Sequence, residues 1–343
     1  MTKPANEIHS VKDLLDILDR LGEAEHGKTR FFRGHSKSSY LMLPSIYRQS
    51  YLIKNEDKII RDAIVNCPDD FSPNDTLFEK LVKLQHYGYT TRLLDLTSNA
   101  LVALYFAALS QEAEDGELII LDIPDEQIKY DDSDTVAVLS AISLQKVNFF
   151  DLCKCQEDSD LNSIMENLKF LKLTQEFAQF LEKEYEQNST ELNRILNIKT
   201  ADEFIKKINT YNKKFINENK INAFNEHPMI FPLLNTIRQD KPNFAPKIEY
   251  TDFGRVIPVR AKLNNARISR QQGLFLLFGI NGKKVNPANV PDEWLRKVNK
   301  QQIIIKNKKQ IMKELKSFGI SKQTLFPELE SQAQEIMAQY KPK

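Results

Sequence analysis

The placement of proline constrains this fold more than any other feature. The chain holds 14 prolines, yet none lies between Asp125 and Glu226. Proline breaks helix interiors, so a long proline-free stretch rich in Lys, Glu and Asn suits extended helices. Apolar residues recur there at helical spacing, at Phe170, Leu171, Leu173, Phe177, Phe180 and Leu181. On both flanks the pattern turns to short apolar runs separated by turn residues. The expectation is an α+β fold of mostly antiparallel strands flanked by helices. Residues 1–126 and 226–343 form its main unit, and the helical insertion, 127–225, packs on it as a satellite bundle.

The flanks resolve further. Ser10 is a good N-cap for a helix carrying Val11, Leu14, Leu15, Leu18 and Leu21, which ends near Gly22 or within the polar run to Gly27. Phe31 and Phe32 read as a strand that breaks into a glycine turn at Gly34. An amphipathic helix over about 76–84 delivers a polar, turn-rich run, Gln85 to Ser98. The apolar segment Ala100–Ala108 follows at once and reads as a buried helix. Later strands are expected at 117–123, 256–259, 274–278 and 303–305. A last helix holds Ile311, Met312, Leu315 and Phe318 and is stopped by Gly319.

Bulk properties narrow the function class. Lys and Arg number 48 against 47 Asp and Glu, so net charge argues for no particular partner. Cys67, Cys153 and Cys155 are too few for a disulfide framework, and no second Cys or His pair follows Cys153-Lys154-Cys155 at metal-ligand spacing. No run approaches a membrane span and the start carries no apolar signal core, so a cytoplasmic protein with no membrane partner is expected. Phosphate-binding glycine loops and a Gly-x-Ser-x-Gly elbow are missing, which removes the commonest NTPase, dehydrogenase and serine-hydrolase readings.

Several residues carry possible chemistry. Arg33 offers a fork of donors beside a glycine, suited to phosphate or carboxylate, or else to pairing with Asp95. His35 and His86 are candidate acid–base groups, with a buried, backbone-bonded His86 as the plainer reading. Thr97 and Ser98 read as the cap of the apolar helix, whose N-terminus doubles as an anion site. Gln271 and Gln272 enter an apolar strand, where an amide serves structure or ligand.

Together these residues resemble the FRG domain, a bacterial family named for a Phe/Tyr-Arg-Gly motif. That motif is Phe32-Arg33-Gly34 here, followed by His35 where the family usually has Gln. Leu43-Pro44-Ser45-Ile46-Tyr47-Arg48 matches the next block. Gln85-His86-Tyr87-Gly88-Tyr89-Thr90-Thr91-Arg92-Leu93-Leu94-Asp95 matches another, with Thr90 at a usual proline. Arg267 to Phe275 and Gly319 to Leu329 complete the resemblance.

The order of elements is also similar to that of ADP-ribosyltransferases, which implies an ADP-ribosyltransferase-like core with NAD as substrate. A strand-borne Arg or His comes first, then a Ser/Thr-bearing strand end running into a helix, then a strand carrying Glu. Arg33, Thr97-Ser98 and Gln271-Gln272 follow that order. The resemblance implies Arg33, Thr97, Ser98 and Gln271 as catalytic residues. It implies NAD contacts from Arg33, His35, Tyr47, Tyr87, Thr91, Thr97 and Ser98. Gln85, His86, Arg92, Asp95 and Gln272 would support them, with Asp95 paired to Arg92 or Arg33 or supplying the carboxylate that Gln271 lacks. The implied role is a toxin or anti-phage effector, with a protein or nucleic-acid acceptor and a neutralising protein partner, for which the insertion is the expected seat. A non-catalytic module binding nucleic acid or protein stands as the alternative, resting on basic runs at Lys206-Lys207, Lys213-Lys214, Lys283-Lys284 and Lys306 to Lys309. A metal-independent nuclease using His35 and His86 is the third reading.

Overall fold

The computed structural model describes residue 4 and residues 6–167, 169–170, 172, 175–176, 179, 201–262 and 265–340. Strand β1 (Glu7–Ile8) leads into helix α1 (Val11–Leu21), capped by the Ser10 side chain and ended at Gly22 with φ +68°. Strand β2 (Lys28–His35) is followed by α2 (Ser50–Lys54), α3 (Glu56–Asn66) and α4 (Leu77–His86). A capping box between Thr76 and Glu79 starts α4. Then come β3 (Leu93–Thr97), α5 (Ala100–Ala108), β4 (Gly116–Pro124), β5 (Lys129–Tyr130), α6 (Asp134–Ala141) and α7 (152–167). The rest is α8 (Ala201–Asn225), α9 (Phe231–Asp240), α10 (Tyr250–Phe253), β6 (Val256–Arg260), α11 (Ala266–Gln271), β7 (Gly273–Phe278), β8 (Leu295–Arg296), β9 (Ile303–Ile305), α12 (Lys308–Ser317), α13 (Lys322–Leu325) and α14 (Leu329–Gln339).

The described strands form one nine-stranded sheet in the order β1-β9-β4-β2-β3-β7-β6-β5, with β8 also paired to β4. The sheet is mixed, which corrects the expectation of mostly antiparallel strands. Its inner ladders are antiparallel, but both ends close with short parallel pairs, β1 on β9 and β5 on β6. Those edge partners lie far apart in sequence, beyond the reach of any local pattern.

Alternation along the strands sorts the core. Phe31, Leu94, Leu96, Ile119, Leu121, Leu274 and Leu276 share one face with Trp294. The other face carries two separate blocks. One joins Leu93, Phe275 and Leu277 to α4, α6 and α9. The second joins Phe32, Leu118 and Ile120 to α1, α5 and α12. Helix α5 is apolar all round and accordingly buried.

Of the insertion, β5 pairs with β6 and α6 is built into the block beneath β7, so this part extends the sheet and core. Leu171, Leu173, Phe177, Phe180 and Leu181 lie outside the described residues, whereas Phe170 stacks on Phe215 at 3.8 Å between ring centroids. The glycine turn expected at Gly34 is instead strand interior, because β2 pairs with β4 through His35. A Cβ on Gly34 would collide with the Ala103 carbonyl and lie 2.6 Å from the Ala107 amide nitrogen. The glycine serves helix packing, letting α5 lie directly on β2.

Candidate functional site

The sheet opens between β2 and β3. Their register holds one Cα pair, Phe32 opposite Thr97, whereas β2 pairs with β4 along its whole length and β3 with β7 along its whole length. Beyond Phe32 the two central strands part, leaving backbone polar groups on both edges. A cleft of about 330 Å³ fills this split. Arg33 and His35 of β2 line it from one face of the sheet, and Asp95 and Thr97 of β3 from the other. Gln85 and His86 end α4 beside it, α5 contributes Phe106, and α11 adds Arg267 and Gln271.

Arg33 bridges the split. Its Nη1 donates to the Asp95 carbonyl at 2.6 Å and its Nε donates to His35 Nε2 at 3.0 Å. Enclosure by the cleft walls pushes its pKa down to about 10, with Asp95 opposing and Arg48 adding to the effect. His35 is 2% exposed, and its Nδ1 lies 3.6 Å from a Glu117 carboxylate oxygen. Burial holds its pKa below the ordinary value against the pull of Glu117. The pKa of His86 is likewise lowered, by burial and then by Arg267, and its Nε2 is buried without a hydrogen-bond partner. Both imidazoles are therefore neutral near pH 7.

The Asp95 carboxylate accepts from Gln85 Nε2 at 2.9 Å, and Gln85 Oε1 in turn accepts from the Thr91 hydroxyl. The expected pairing of Asp95 with Arg92 does not form. Arg92 points into the core instead, giving a bidentate pair to Glu56 at 2.9 and 2.5 Å and a bond to the Phe278 carbonyl at 3.1 Å. Lys284 joins the same carboxylate at 3.1 Å.

Thr97 donates to the Gln271 carbonyl at 2.7 Å and accepts from the Asn99 amide at 3.0 Å. The cap of α5 is Asn99, whose side chain accepts from Leu101 and Val102, so Thr97 and Ser98 fix the strand end without capping the helix. Ser98 instead bonds Gln272, hydroxyl to amide oxygen at 3.3 Å and amide to carbonyl at 3.1 Å. Gln271 and Gln272 close helix α11 and lead directly into β7, as their place before the apolar strand suggested. Gln272 is left-handed at φ +48°, and Gln271 Nε2 donates to the Leu325 carbonyl at 3.1 Å.

Of the residues the sequence singled out, the split gathers Arg33, His35, Gln85, His86, Asp95, Thr97 and Gln271. Thr91 stands one hydrogen bond behind it, on Gln85, while Ser98 and Gln272 bond each other outside the lining. Tyr47 does not line it: its ring packs with the Trp294 face and its hydroxyl lies against Arg92, where burial raises its pKa to about 12. Tyr87 follows α4 and is 66% exposed. The reading from sequence missed Tyr40, Arg48 and Arg267 as wall residues. Arg48 lies over the Tyr40 ring at 5.6 Å, and Arg267 over Phe326 at 4.6 Å while donating to the His86 carbonyl. Both arginines stand in blocks already singled out, which was the available signal.

Family comparison matches residues 28–116 to the model of the FRG domain. The chain carries an FRG domain. The matched segment begins with β2 and ends with the first residue of β4, so the FRG domain supplies Arg33, His35, Asp95, Thr97 and helix α5. Arg267 and Gln271 close the cleft from outside the matched segment. No curated protein and no solved structure matches the chain.

The basic runs at Lys283-Lys284 and Lys306 to Lys309 are absorbed by partners, whereas the side chains of Lys206 and Lys207 lie outside those described. Lys284 is buried on Glu56, and Lys308 is buried on the Ser36, Ser110 and Gln111 carbonyls. Lys283, Lys306 and Lys309 pair with Asp151, Asp115 and Glu112. No helix among the described residues is long and apolar enough to cross a membrane.

Proposed function

We propose that the cleft of this FRG domain protein binds NAD and that the protein is an ADP-ribosyltransferase-like effector, of the toxin or anti-phage class. The observation that carries this reading is the set of three arginines, Arg33, Arg48 and Arg267, around the split, with Asp95 as the carboxylate among the lining residues described. Such a cation excess over neutral histidines favours an anionic ligand, and guanidinium forks suit phosphate oxygens. At about 330 Å³ the cleft sits at the small end of ligand sites, so it suits one nucleotide half enclosed and the other lying across the rim.

The chemistry follows from the walls. Breaking the bond between nicotinamide and ribose develops positive charge on the sugar, which a nearby carboxylate stabilises. Gln271 stands where transferases usually carry Glu, and its amide oxygen can orient a ribose hydroxyl without supplying charge. Asp95, held by Gln85, supplies the charge in its place. Arg33 holds the pyrophosphate, and Tyr40 or Phe106 offers the ring for nicotinamide to stack on, a role Tyr47 and Tyr87 do not have in this arrangement.

A metal-independent nuclease needs one histidine protonated as general acid, and burial with neighbouring arginines opposes this at both His35 and His86. The test is calorimetric titration of NAD into the protein, followed by incubation with labelled NAD and cell extract. Binding by the wild type, its loss in Arg33→Ala, and transfer lost in Asp95→Asn with binding kept are expected. Absence of NAD binding by the wild type ends the reading.

A further inference from the structure

We propose that His35 is the positioning residue of the anion site, fixed as its Nδ1–H tautomer so that its Nε2 accepts from Arg33 Nε and turns the guanidinium toward an oxyanion in the split. The inference rests on the reading of the cleft as an NAD site, whose pyrophosphate is that oxyanion.

The donor inventory dictates the tautomer. An arginine Nε always carries hydrogen, so a nitrogen 3.0 Å from it must accept. Nε2 is then the bare nitrogen, and the single proton of the neutral ring sits on Nδ1. That nitrogen makes no hydrogen bond, but it lies 3.6 Å from the buried Glu117 carboxylate, across the β2–β4 ladder in which His35 and Glu117 are directly paired, so the carboxylate's charge faces the proton. Both residues are nearly sealed from solvent. The carboxylate therefore favours the same tautomer that the arginine requires, as when a carboxylate orients a working histidine.

The arrangement leaves Arg33 with a defined remainder. Nε is spent on His35 and Nη1 on the Asp95 carbonyl, and Nη2 has no protein partner among the described residues. The competing charge is the Asp95 carboxylate, on the adjoining strand and bonded to Gln85, whose field already acts on Arg33. Without an acceptor at position 35, Arg33 would swing onto that carboxylate, and the site would lose its cation and its free anion together. His35 keeps the two apart.

The test separates positioning from packing and from the NAD reading. Long-range ¹H–¹⁵N correlation on ¹⁵N-histidine-labelled protein, free of ligand, should show His35 as the Nδ1–H tautomer. The Nε2–H tautomer would overturn the proposal whether or not NAD binds. In NAD titrations, His35→Leu should weaken binding about tenfold or more, the loss of one hydrogen bond to a charged group. His35→Gln, whose amide oxygen can still accept from Arg33, should bind close to wild type. Equal loss in both variants, each with a wild-type melting temperature, would make position 35 a packing site and sink the proposal. Should His35→Leu not fold, the tautomer and the His35→Gln affinity decide. If the wild type binds no NAD while the Nδ1–H tautomer is found, the NAD reading fails and the positioning of Arg33 stands.

Discussion

Arg33 and Arg92 are the same residue type on neighbouring segments of the FRG domain, and the fold treats them oppositely. Arg92 is sealed, doubly bonded to Glu56 and also bonded to the Phe278 carbonyl. Burial alone would lower its pKa, but Glu56 outweighs this and raises it. Arg33 keeps an unspent guanidinium edge in the open split and its pKa falls, since burial acts there without a paired carboxylate. A cation whose folded pKa is raised stabilises the fold, whereas one whose folded pKa is lowered costs stability. The contrast separates a charge tied into the core from one left with a free edge, the edge that the proposed function assigns to binding.

The largest effect should come from Glu56→Ala, which strands Arg92 and Lys284 together in the core. Removing one partner of a buried pair costs about 3–5 kcal/mol, read from urea unfolding. A loss below about 1 kcal/mol would erase the architectural half of the comparison.

Gly34→Ala comes next. It forces α5 off β2, and overpacking of this kind costs about 1–3 kcal/mol or more. The same displacement should disturb the cleft wall, so ligand affinity and melting temperature should fall together.

Acid titration gives a smaller, shaped effect. The folded pKa of Glu56 lies below its ordinary 4.5, because Arg92 and Lys284 outweigh the opposing burial. Its stabilisation is present above 4.5 and is lost as pH falls through the folded pKa. His35 and His86 also have folded pKa values below 6.5, so protons bind the unfolded chain first and stability declines as pH drops from 6.5 toward those values. His35→Gln should make the higher limb shallower, leaving the share of His86, and leave the lower one. An unchanged upper limb would show that burial does not hold His35 neutral.

Arg33→Ala should be the mildest, within about 0.5 kcal/mol and on the stabilising side, with NAD binding lost. Marked destabilisation by this change would merge the two arginines into one structural class.

The helical and strand cores were legible because their signals are local. Ser10 and Gly22 bracket α1, and the apolar run Ala100–Ala108 could only be buried. β6, β7 and β9 announce themselves as short apolar runs. The site was legible as residue types but not as directions. Nothing local says that Arg33 faces a gap and Arg92 faces Glu56, a residue 36 positions earlier. Gly34 misled because glycine marks turns more often than helix–strand contacts, and Ser98 misled because Asn99, one residue on, is the better cap. Arg48 and Arg267 were visible as members of their blocks but not as wall residues, since only long-range packing brings them to one rim with Tyr40.

The parallel pairing of β1 with β9 sets a timetable for the chain. Glu7 and Ile8 are made about 300 residues before their partners, Ile304 and Ile305. The Val11 amide also waits for the Glu314 carboxylate, 303 residues later. Helix α1 therefore emerges from the ribosome with its α12 partners, Ile311 and Leu315, still about 300 residues away. Such long-range closure slows folding and prolongs exposure to aggregation. Full-length chains should acquire a protected α1 last of all, and nascent chains halted before residue 303 should keep it open to protease.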